Sequence, residues 1–360
     1  NEFGNIVLVG NNVPRFDHDP VTRESKGLLI EESRTNYMKY SDEFAIPSGQ
    51  TGGNWDAIGG SSDYTRVSDT TETKDPTGIT NHASKLTFNS GNATLRGYWY
   101  SNAAVNGAVT KTYSVYLKRA TSNTTTINLD IGDASTTPCV LTDEWKRFSV
   151  TTSSAGNGNF VDMHAATGAG TAYYAWGAQI EAGAFPTSYI PTSSAAATRG
   201  TDFAKVEGEE FAEFYNNATE HTTVMVGKRL GDTNTDGRLY SISDGTSSQV
   251  APDWDFNDDT KLRISSNVGG SSQMVQELNP FNGRNDEFKI AAGMAVNNQI
   301  GVVNGTAIAA ADTSCLMPTG VDRLFFGLRG NEGNQGSLTI KRFMYYPKRL
   351  PDSQLVTLTS

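Results

Sequence analysis

The residues best suited to bind a ligand lie on predicted strands in the first half of the chain. Alternation along one strand turns Arg96, Tyr98 and Tyr100 away from the core. Sugars stack their C–H faces on aromatic rings and pair their hydroxyl groups with polar side chains. If the strands are neighbours, one sheet carries a glycan platform; otherwise these side chains pack against another subunit or domain. The same face of two further strands adds more such groups: Tyr116, Lys118, Asn128 and Asp130.

A second pattern is typical of a metal site. Asp232, Asn234 and Asp236 alternate before a glycine, as in the first half of a calcium-binding loop, where alternate oxygens converge on one cation. The acidic ligand expected at the loop's last position is one residue late, at Asp244. The pattern therefore predicts either a Ca²⁺ site built from these four residues or a polar hairpin tip without metal. No other cofactor is indicated.

A third candidate is the acidic, aromatic stretch 253–259. The ring of Trp254 could stack on a sugar while Asp255 or Asn257 accepts hydrogen bonds from its hydroxyl groups. The alternative is a solvated loop that its aromatic residues anchor to the domain.

The sequence offers little for catalysis. It has no G-x-S-x-G elbow, no P-loop and no G-x-G-x-x-G stretch, and its four histidines are scattered. The acidic run 207–210 could supply carboxylates for glycoside hydrolysis, but a solvated run is the simpler interpretation there. We therefore expect a non-catalytic protein, with a polysaccharide depolymerase as the alternative.

Charge and hydropathy exclude several classes of partner. The formal net charge is −10 and no cluster of Lys or Arg occurs, which argues against nucleic acid and anionic membranes. No apolar run approaches the length of about 18 residues that spans a bilayer, so membrane insertion is not expected. The chain begins without Met or a signal peptide, which suggests a piece of a longer polypeptide. Cys139 and Cys315 are predicted to be two buried thiols.

The elements that position these residues are short strands joined by Gly, Asn, Asp and Ser. No segment with helical period interrupts them, so we predict an all-β fold of two tandem antiparallel β-sandwiches. Asn304-Gly305 between apolar strands predicts a two-residue hairpin. The predicted organisation is an extended arm, a first sandwich, a linker and a second sandwich: residues 1–27, 28–192, 193–205 and 206–360.

The first unit ends in a strand followed by two prolines, which cannot continue a ladder of hydrogen bonds. Strict alternation places Trp176 and Ile180 on one face of this strand, and Tyr173 and Glu181 on the other.

Four stretches resemble bacteriophage tail-fibre and virion-appendage proteins. Residues 27–36, with Tyr40-Ser41 after them, are similar to the entry motif of that family. Residues 141–150 and 176–192 resemble the closing strands of its carbohydrate-binding-module-like jelly roll. Residues 343–350 resemble the end of a concanavalin-A/laminin-G-like sandwich.

This resemblance implies a virion structural protein in a tail fibre or appendage, exposed to the medium. It also implies a homotrimer that contacts other virion proteins and the host cell-surface polysaccharide, but it brings no mapped ligand site. Two alternatives stay open: an assembly component that binds no glycan, and a capsule depolymerase.

Overall fold

The computed structural model divides into two compact units, each of which has its own core. The first sandwich comprises Asn5–Val7 and Ser33–Gly200, and the second comprises Asn1–Gly4, Leu8–Glu32 and Thr201–Ser360. The structure describes residues 1–45, 54–58, 61–91, 93–99, 102–121, 126–156, 158–165, 169–216, 218–231, 237–246, 248–255, 258–278, 287–332 and 335–360.

The described residues form many short strands and two short helices. The first strands are β1 (Phe16–His18) and β2 (Ser25–Ile30). Then come β3 (Arg34–Asn36), β4 (Trp55–Ile58), β5 (Tyr64–Val67), β6 (Ser84–Phe88), β7 (Thr94–Tyr98), β8 (Lys111–Arg119), β9 (Thr126–Ile131), β10 (Thr136–Val140), β11 (Lys146–Thr152), β12 (Phe160–Ala165), β13 (Thr171–Ala182) and β14 (Ala197–Arg199). The rest are β15 (Ala204–Glu207), α1 (Gly208–Phe214), β16 (Glu220–Gly231), β17 (Tyr240–Ser243), β18 (Gln249–Asp255), β19 (Asp258–Val268), β20 (Ser271–Leu278), β21 (Glu287–Ala295), β22 (Ile300–Val303), β23 (Thr306–Ala307), β24 (Arg323–Phe326), β25 (Ser337–Tyr346) and α2 (Asp352–Thr359).

The first sandwich has two five-stranded antiparallel sheets. Sheet A has the order β10-β9-β12-β7-β4, and sheet B the order β11-β8-β13-β6-β5. Burying the apolar side of each strand between the sheets removes it from water, which is the main favourable term in folding. The side chains that alternate with the predicted outward residues are all buried in this core: Leu95, Trp99, Tyr113, Val115, Leu117, Ile127, Leu129 and Ile131.

Strand β13 departs from strict alternation. A bulge lies between Trp176 and Gln179, where Gly177 adopts a φ of +66°. The extra residue inverts the pattern, so Ile180 joins Tyr173 in the core while Trp176 lies outside it. The predicted grouping of Trp176 with Ile180 is therefore wrong.

The segment after β13 folds back over sheet B and is fixed by one buried side chain, Asn36. Its Nδ2 donates to the carbonyl oxygens of Ala178 at 3.1 Å and Ile190 at 2.8 Å. Its Oδ1 accepts from the backbone N–H groups of Met38 at 3.0 Å and Ile180 at 3.1 Å. Thus two of the stretches singled out in the sequence, 27–36 and 176–192, interlock through one amide.

Buried polar groups continue this interlocking around Glu181, which is fully buried. Its carboxylate accepts the backbone N–H of Thr187 at 3.2 Å and lies 3.9 Å from the Arg34 guanidinium. Desolvation raises the pKa of Glu181, although the charges of Arg147 and Arg34 oppose that rise.

The second sandwich is also all antiparallel, which confirms the predicted fold class of two antiparallel β-sandwiches. Sheet C has the order β1-β2-β25-β16-β21-β22-β23 and sheet D the order β15-β24-β17-β18-β19-β20. Residues 28–30 were expected to open the first sandwich, but Leu28 pairs with Ile340 of β25 in sheet C. The expected extended arm likewise contributes β1 to this sheet. Pairing between residues so far apart in the chain leaves no local sequence signal.

Local signals in the second sandwich are confirmed. Asn304 and Gly305 have φ values of 47° and 77°, as the two-residue turn between β22 and β23 requires. The terminal helix α2 follows Pro351 and buries Leu355.

Both cysteines are buried free thiols, Cys139 in the first sandwich and Cys315 in the second, as predicted. Burial raises the pKa of Cys139 to about 12, so this thiol is an inert packing group. Of the two helices in the described part of the chain, neither has the length and apolarity of a bilayer-spanning segment.

Candidate glycan-binding face

The outward side chains of sheet A form the strongest candidate site, which we call the sheet A face. The register aligns one residue from each strand in a single row across the sheet. The sequence neighbours of these residues point into the core, as Leu95, Leu129 and Met163 show. The row therefore lies on the outer side of the sheet. In sheet order its members are Thr136, Asp130, Asp162, Arg96 and Asp56.

Arg96 is held beside Asp162, the middle member of this row. Its Nε and Nη2 donate to the two carboxylate oxygens of Asp162 at 2.8 and 2.6 Å, and the guanidinium lies 3.4 Å from the ring centroid of Phe160. The hydrogen bond to Asp162 raises the pKa of Arg96, with burial opposing it. A forked ion pair with a stacked guanidinium is a rigid arrangement, so Arg96 is positioned before any ligand arrives.

Asp130 is equally fixed. One oxygen accepts the backbone N–H of Asp133 at 2.6 Å, and the other accepts the Thr136 hydroxyl at 2.7 Å. These bonds tie the carboxylate to the turn between β9 and β10 and keep it on the sheet A face.

Tyr98 and Asn128 flank the row on opposite sides, and both are half-buried. Tyr98 is paired in register with Phe160, and Asn128 with His164. Desolvation, with the nearby Asp56 carboxylate, raises the pKa of the Tyr98 hydroxyl, so this group remains a hydrogen-bond donor at neutral pH. The face thus offers a phenol, an amide and an imidazole around a fixed ion pair.

The structure separates Tyr116 from the other predicted site residues. Tyr116 lies on β8 in sheet B, so the expected platform on a single sheet is wrong for this residue. Its ring packs against Trp176, with ring centroids 5.6 Å apart, and against the Arg147 guanidinium at 5.4 Å. The neighbouring Lys118 lies on the same strand and donates to Thr73 at 3.1 Å.

Several predicted residues lie outside the described part of the structure. These are Tyr100, three of the four predicted calcium ligands (Asp232, Asn234 and Asp236), and the side chains of Trp254 and Asp255. The backbone of 253–255 is the end of strand β18, paired with β19, where the sequence suggested a loop.

The fourth predicted calcium ligand, Asp244, is described and lies in a tight turn. Its carboxylate accepts the backbone N–H groups of Thr246 at 2.8 Å and Ser248 at 3.1 Å. Although burial opposes them, these two bonds lower the pKa of Asp244. Within the described ranges, no group of three or more His, Cys, Asp or Glu side chains could hold a metal ion.

The acidic run 207–210 begins helix α1 and borders a cavity of about 550 Å³ in the second sandwich. Phe211 and Tyr215 form its apolar wall, and Glu207 and Arg323 are among its polar lining residues. Glu207 forms an ion pair with Lys205 at 2.7 Å.

Sequence reasoning missed Asp162, Phe160 and Asp56, which complete the sheet A face. The first two lie on β12, where they alternate with the buried Val161 and Met163, and that alternation is the available signal. Asp56 lies on the short strand β4, which is flanked by Gly and Ser residues that are typical of a loop.

No protein-family model matches this sequence, and no curated protein matches it. Among solved structures, the chain is similar to the CBM40 module of the Ruminococcus gnavus IT-sialidase, with 18% identity and a TM-score of 0.38, covering 44% of this chain and 92% of that chain. It is similar to domains LG4-5 of the mouse laminin alpha1 chain, with 10% identity and a TM-score of 0.30, covering 75% of this chain and 93% of that one. A variant of human galectin-16 matches with 9% identity and a TM-score of 0.27, covering 41% of this chain and 94% of that one.

Proposed function

We propose that the first sandwich is a glycan-binding module and that the sheet A face is its binding surface. The observation that carries the proposal is the preorganised row centred on the Arg96–Asp162 pair, with Tyr98 and Asn128 on its two sides. Donors and acceptors that are fixed before binding lose little conformational entropy when a sugar arrives.

The role of the face is recognition without bond cleavage. Asp162 forms an ion pair with Arg96. The Asp130 carboxylate accepts hydrogen bonds from a backbone N–H and a hydroxyl group. Glycoside hydrolysis requires one carboxyl group that holds a proton and a second that is free to act as a base or nucleophile. Carboxylates engaged in this way favour a positioning role.

We place this module on a bacteriophage tail fibre or appendage, exposed to the medium, where it contacts the host-surface polysaccharide. Support comes from the resemblance of residues 27–36 and 176–192 to virion proteins, together with the way these two stretches interlock around Asn36. A homotrimeric fibre joined to other virion proteins would suit a shallow site, because several copies raise the effective affinity without new contacts.

The test is binding of the full chain to an array of bacterial surface polysaccharides. We expect Tyr98→Ala to weaken binding at least about tenfold, since truncating an aromatic residue that anchors a ligand costs about 2 kcal/mol or more. Tyr116→Ala is the matched control, because it removes a half-buried tyrosine from the opposite sheet. Its binding per folded molecule should equal that of the wild type.

Three results would count against the proposal. If no polysaccharide binds, the chain has an assembly role only. If Tyr98→Ala binds as the wild type does, the sheet A face is not the site. Release of shortened sugar chains during incubation would establish a depolymerase instead.

A further inference from the structure

We infer that the sheet A face selects sugars that carry no acid group, with their hydroxyl groups donating to its carboxylates. This inference rests on the proposed glycan-binding function and specifies its ligand class. It would exclude uronic and sialic acids as the residue bound at this face.

An acidic sugar would need a cation on the sheet A face. A sugar carboxylate is bound most strongly by an arginine that can turn both of its forked N–H groups toward the ligand. On the described residues of the five sheet A strands, Arg96 is the one Lys or Arg side chain. Asp162 already occupies its Nε and Nη2, and Phe160 lies against its plane. The charge of Arg96 is therefore compensated inside the protein.

The other Asp and Glu side chains on the described residues of the sheet A strands add negative charge. Asp56 and Asp130 lie in the same row, on either side of the Arg96–Asp162 pair. Asp133, in the turn after β9, places an oxygen 3.9 Å from Arg96. Among the described residues of the sheet A strands and of the turn after β9, a ligand carboxylate would meet four carboxylates and one guanidinium, and like charges at short range repel.

The hydrogen-bonding groups of the face also favour a neutral sugar. An ionised carboxylate is an acceptor only, with about four lone-pair sites, whereas a hydroxyl group both donates and accepts. Asp130 is buried and receives one hydrogen bond at each oxygen from within the protein, so the carboxylates that a ligand can reach are the half-buried Asp56 and the more exposed Asp133. A neutral polyol supplies donors for these sites, but a second carboxylate does not.

The experiment compares neutral glycans with acidic derivatives of the same glycans. The probes are a neutral glucan, the same glucan oxidised at C6 to the uronic acid, and N-acetyllactosamine with and without a terminal sialic acid. Binding is measured by the full chain at 50 and 500 mM NaCl. We expect at least one neutral member to bind about tenfold or more tightly than its acidic partner, a difference of about 1.4 kcal/mol. Its Kd should change less than about twofold with salt, since no exposed ion pair is formed.

Two variants connect the selectivity to this face. Tyr98→Ala should weaken binding of the neutral glycan at least about tenfold, as stated above. Asp56→Asn should lower the ratio of neutral to acidic affinity about threefold or more, because it removes one negative charge. Asp143→Asn is the control for the latter, because it removes an exposed carboxylate outside the sheet A strands, where Asp143 pairs with Arg119.

The possible results distinguish failure of the sugar selectivity from failure of the proposed glycan binding. Tighter binding of the acidic members, lost in Tyr98→Ala, would overturn the inference and leave glycan binding intact. Equal binding of both members would also overturn it. Failure of every probe, and of the polysaccharide array, would refute the proposed function and this inference with it. Selectivity that persists in Tyr98→Ala would show that it arises elsewhere in the chain.

Discussion

Removing the Asn36 amide should strongly destabilise the first sandwich. The side chain is fully buried and makes four hydrogen bonds to backbone groups on both sides of the closing turn. In Asn36→Ala, two carbonyl oxygens and two N–H groups lose these partners. Leaving a buried polar group unsatisfied costs about 1–3 kcal/mol, so even the low end of that range gives about 4 kcal/mol in total.

The change should be measured by urea denaturation followed by tryptophan fluorescence. Four of the five tryptophans lie in the first sandwich, and Trp254 lies in the second. A Trp254→Phe background therefore makes the signal report on the first sandwich alone. We expect the unfolding midpoint to fall with little change in slope, which indicates lost stability rather than a changed unfolded state.

Two further variants make this test sharper. Thr35→Ala is the matched control, because the Thr35 hydroxyl bonds to that of Thr198 in the exposed pair between β3 and β14. It should change the free energy of unfolding by less than about 1 kcal/mol. Asn36→Asp keeps the shape but cannot donate to the two carbonyl groups, so it should be at least as damaging as Asn36→Ala. If Asn36→Ala changed the free energy of unfolding no more than Thr35→Ala does, the stabilising role assigned to the Asn36 amide would be refuted.

Two other perturbations test the same unit. In Gly183→Ala, the added Cβ would overlap the Arg34 guanidinium at a backbone φ of +112°. We therefore expect the free energy of unfolding to fall by about 2–3 kcal/mol. For Gly200→Ala, where the added Cβ meets no atom within 4 Å, the free energy of unfolding should change by less than about 0.5 kcal/mol. The His82 imidazole lies 2.6 Å from the Asp75 carboxylate and 3.4 Å from that of Asp42. Burial lowers the pKa of His82, but the hydrogen bond to Asp75 and the charge of Asp42 outweigh burial, so the pKa is raised. The folded state therefore binds the proton more tightly, so this contribution is complete below about pH 6.5 and is lost as the pH rises through the raised pKa. The difference in stability between wild type and His82→Asn, measured from pH 5 to about pH 9, should shrink in that direction, and a constant difference would contradict the assignment.

Much of the architecture was predictable because it depends on short-range patterns. Alternation identified β7, β8 and β9 with their inward faces, and Asn304-Gly305 identified a hairpin from two residues. In each case the physical cause, a pleat or a positive φ, acts within a few residues and so leaves a local signal.

The errors arose where the outcome depends on distant residues. Alternation shows that Tyr116 points outward, but it does not show from which of two sheets, because sheet membership is decided by pairing across the chain. The same limit hid the pairing of β2 with β25. At Gly177 the local rule itself changes, because one inserted residue inverts every later side chain of β13.

The candidate site was predictable in part. Arg96, Tyr98, Asn128 and Asp130 do share the sheet A face, as alternation suggested. The ion pair that fixes Arg96 was not foreseen, because Asp162 is separated from it by 66 residues. Register, which brings these two side chains opposite each other, is set by the whole sheet.

The pairing of β3 with β14 also bears on how such a chain is built. Arg34 and Arg199, near the entrance and exit of the first sandwich, are opposite each other in one antiparallel ladder. A folded insert whose ends are neighbours can be spliced into a surface loop of a host protein without stretching that loop. Because its two ends are adjacent, the 33–200 segment could be replaced by another recognition module without a change in the rest of the chain.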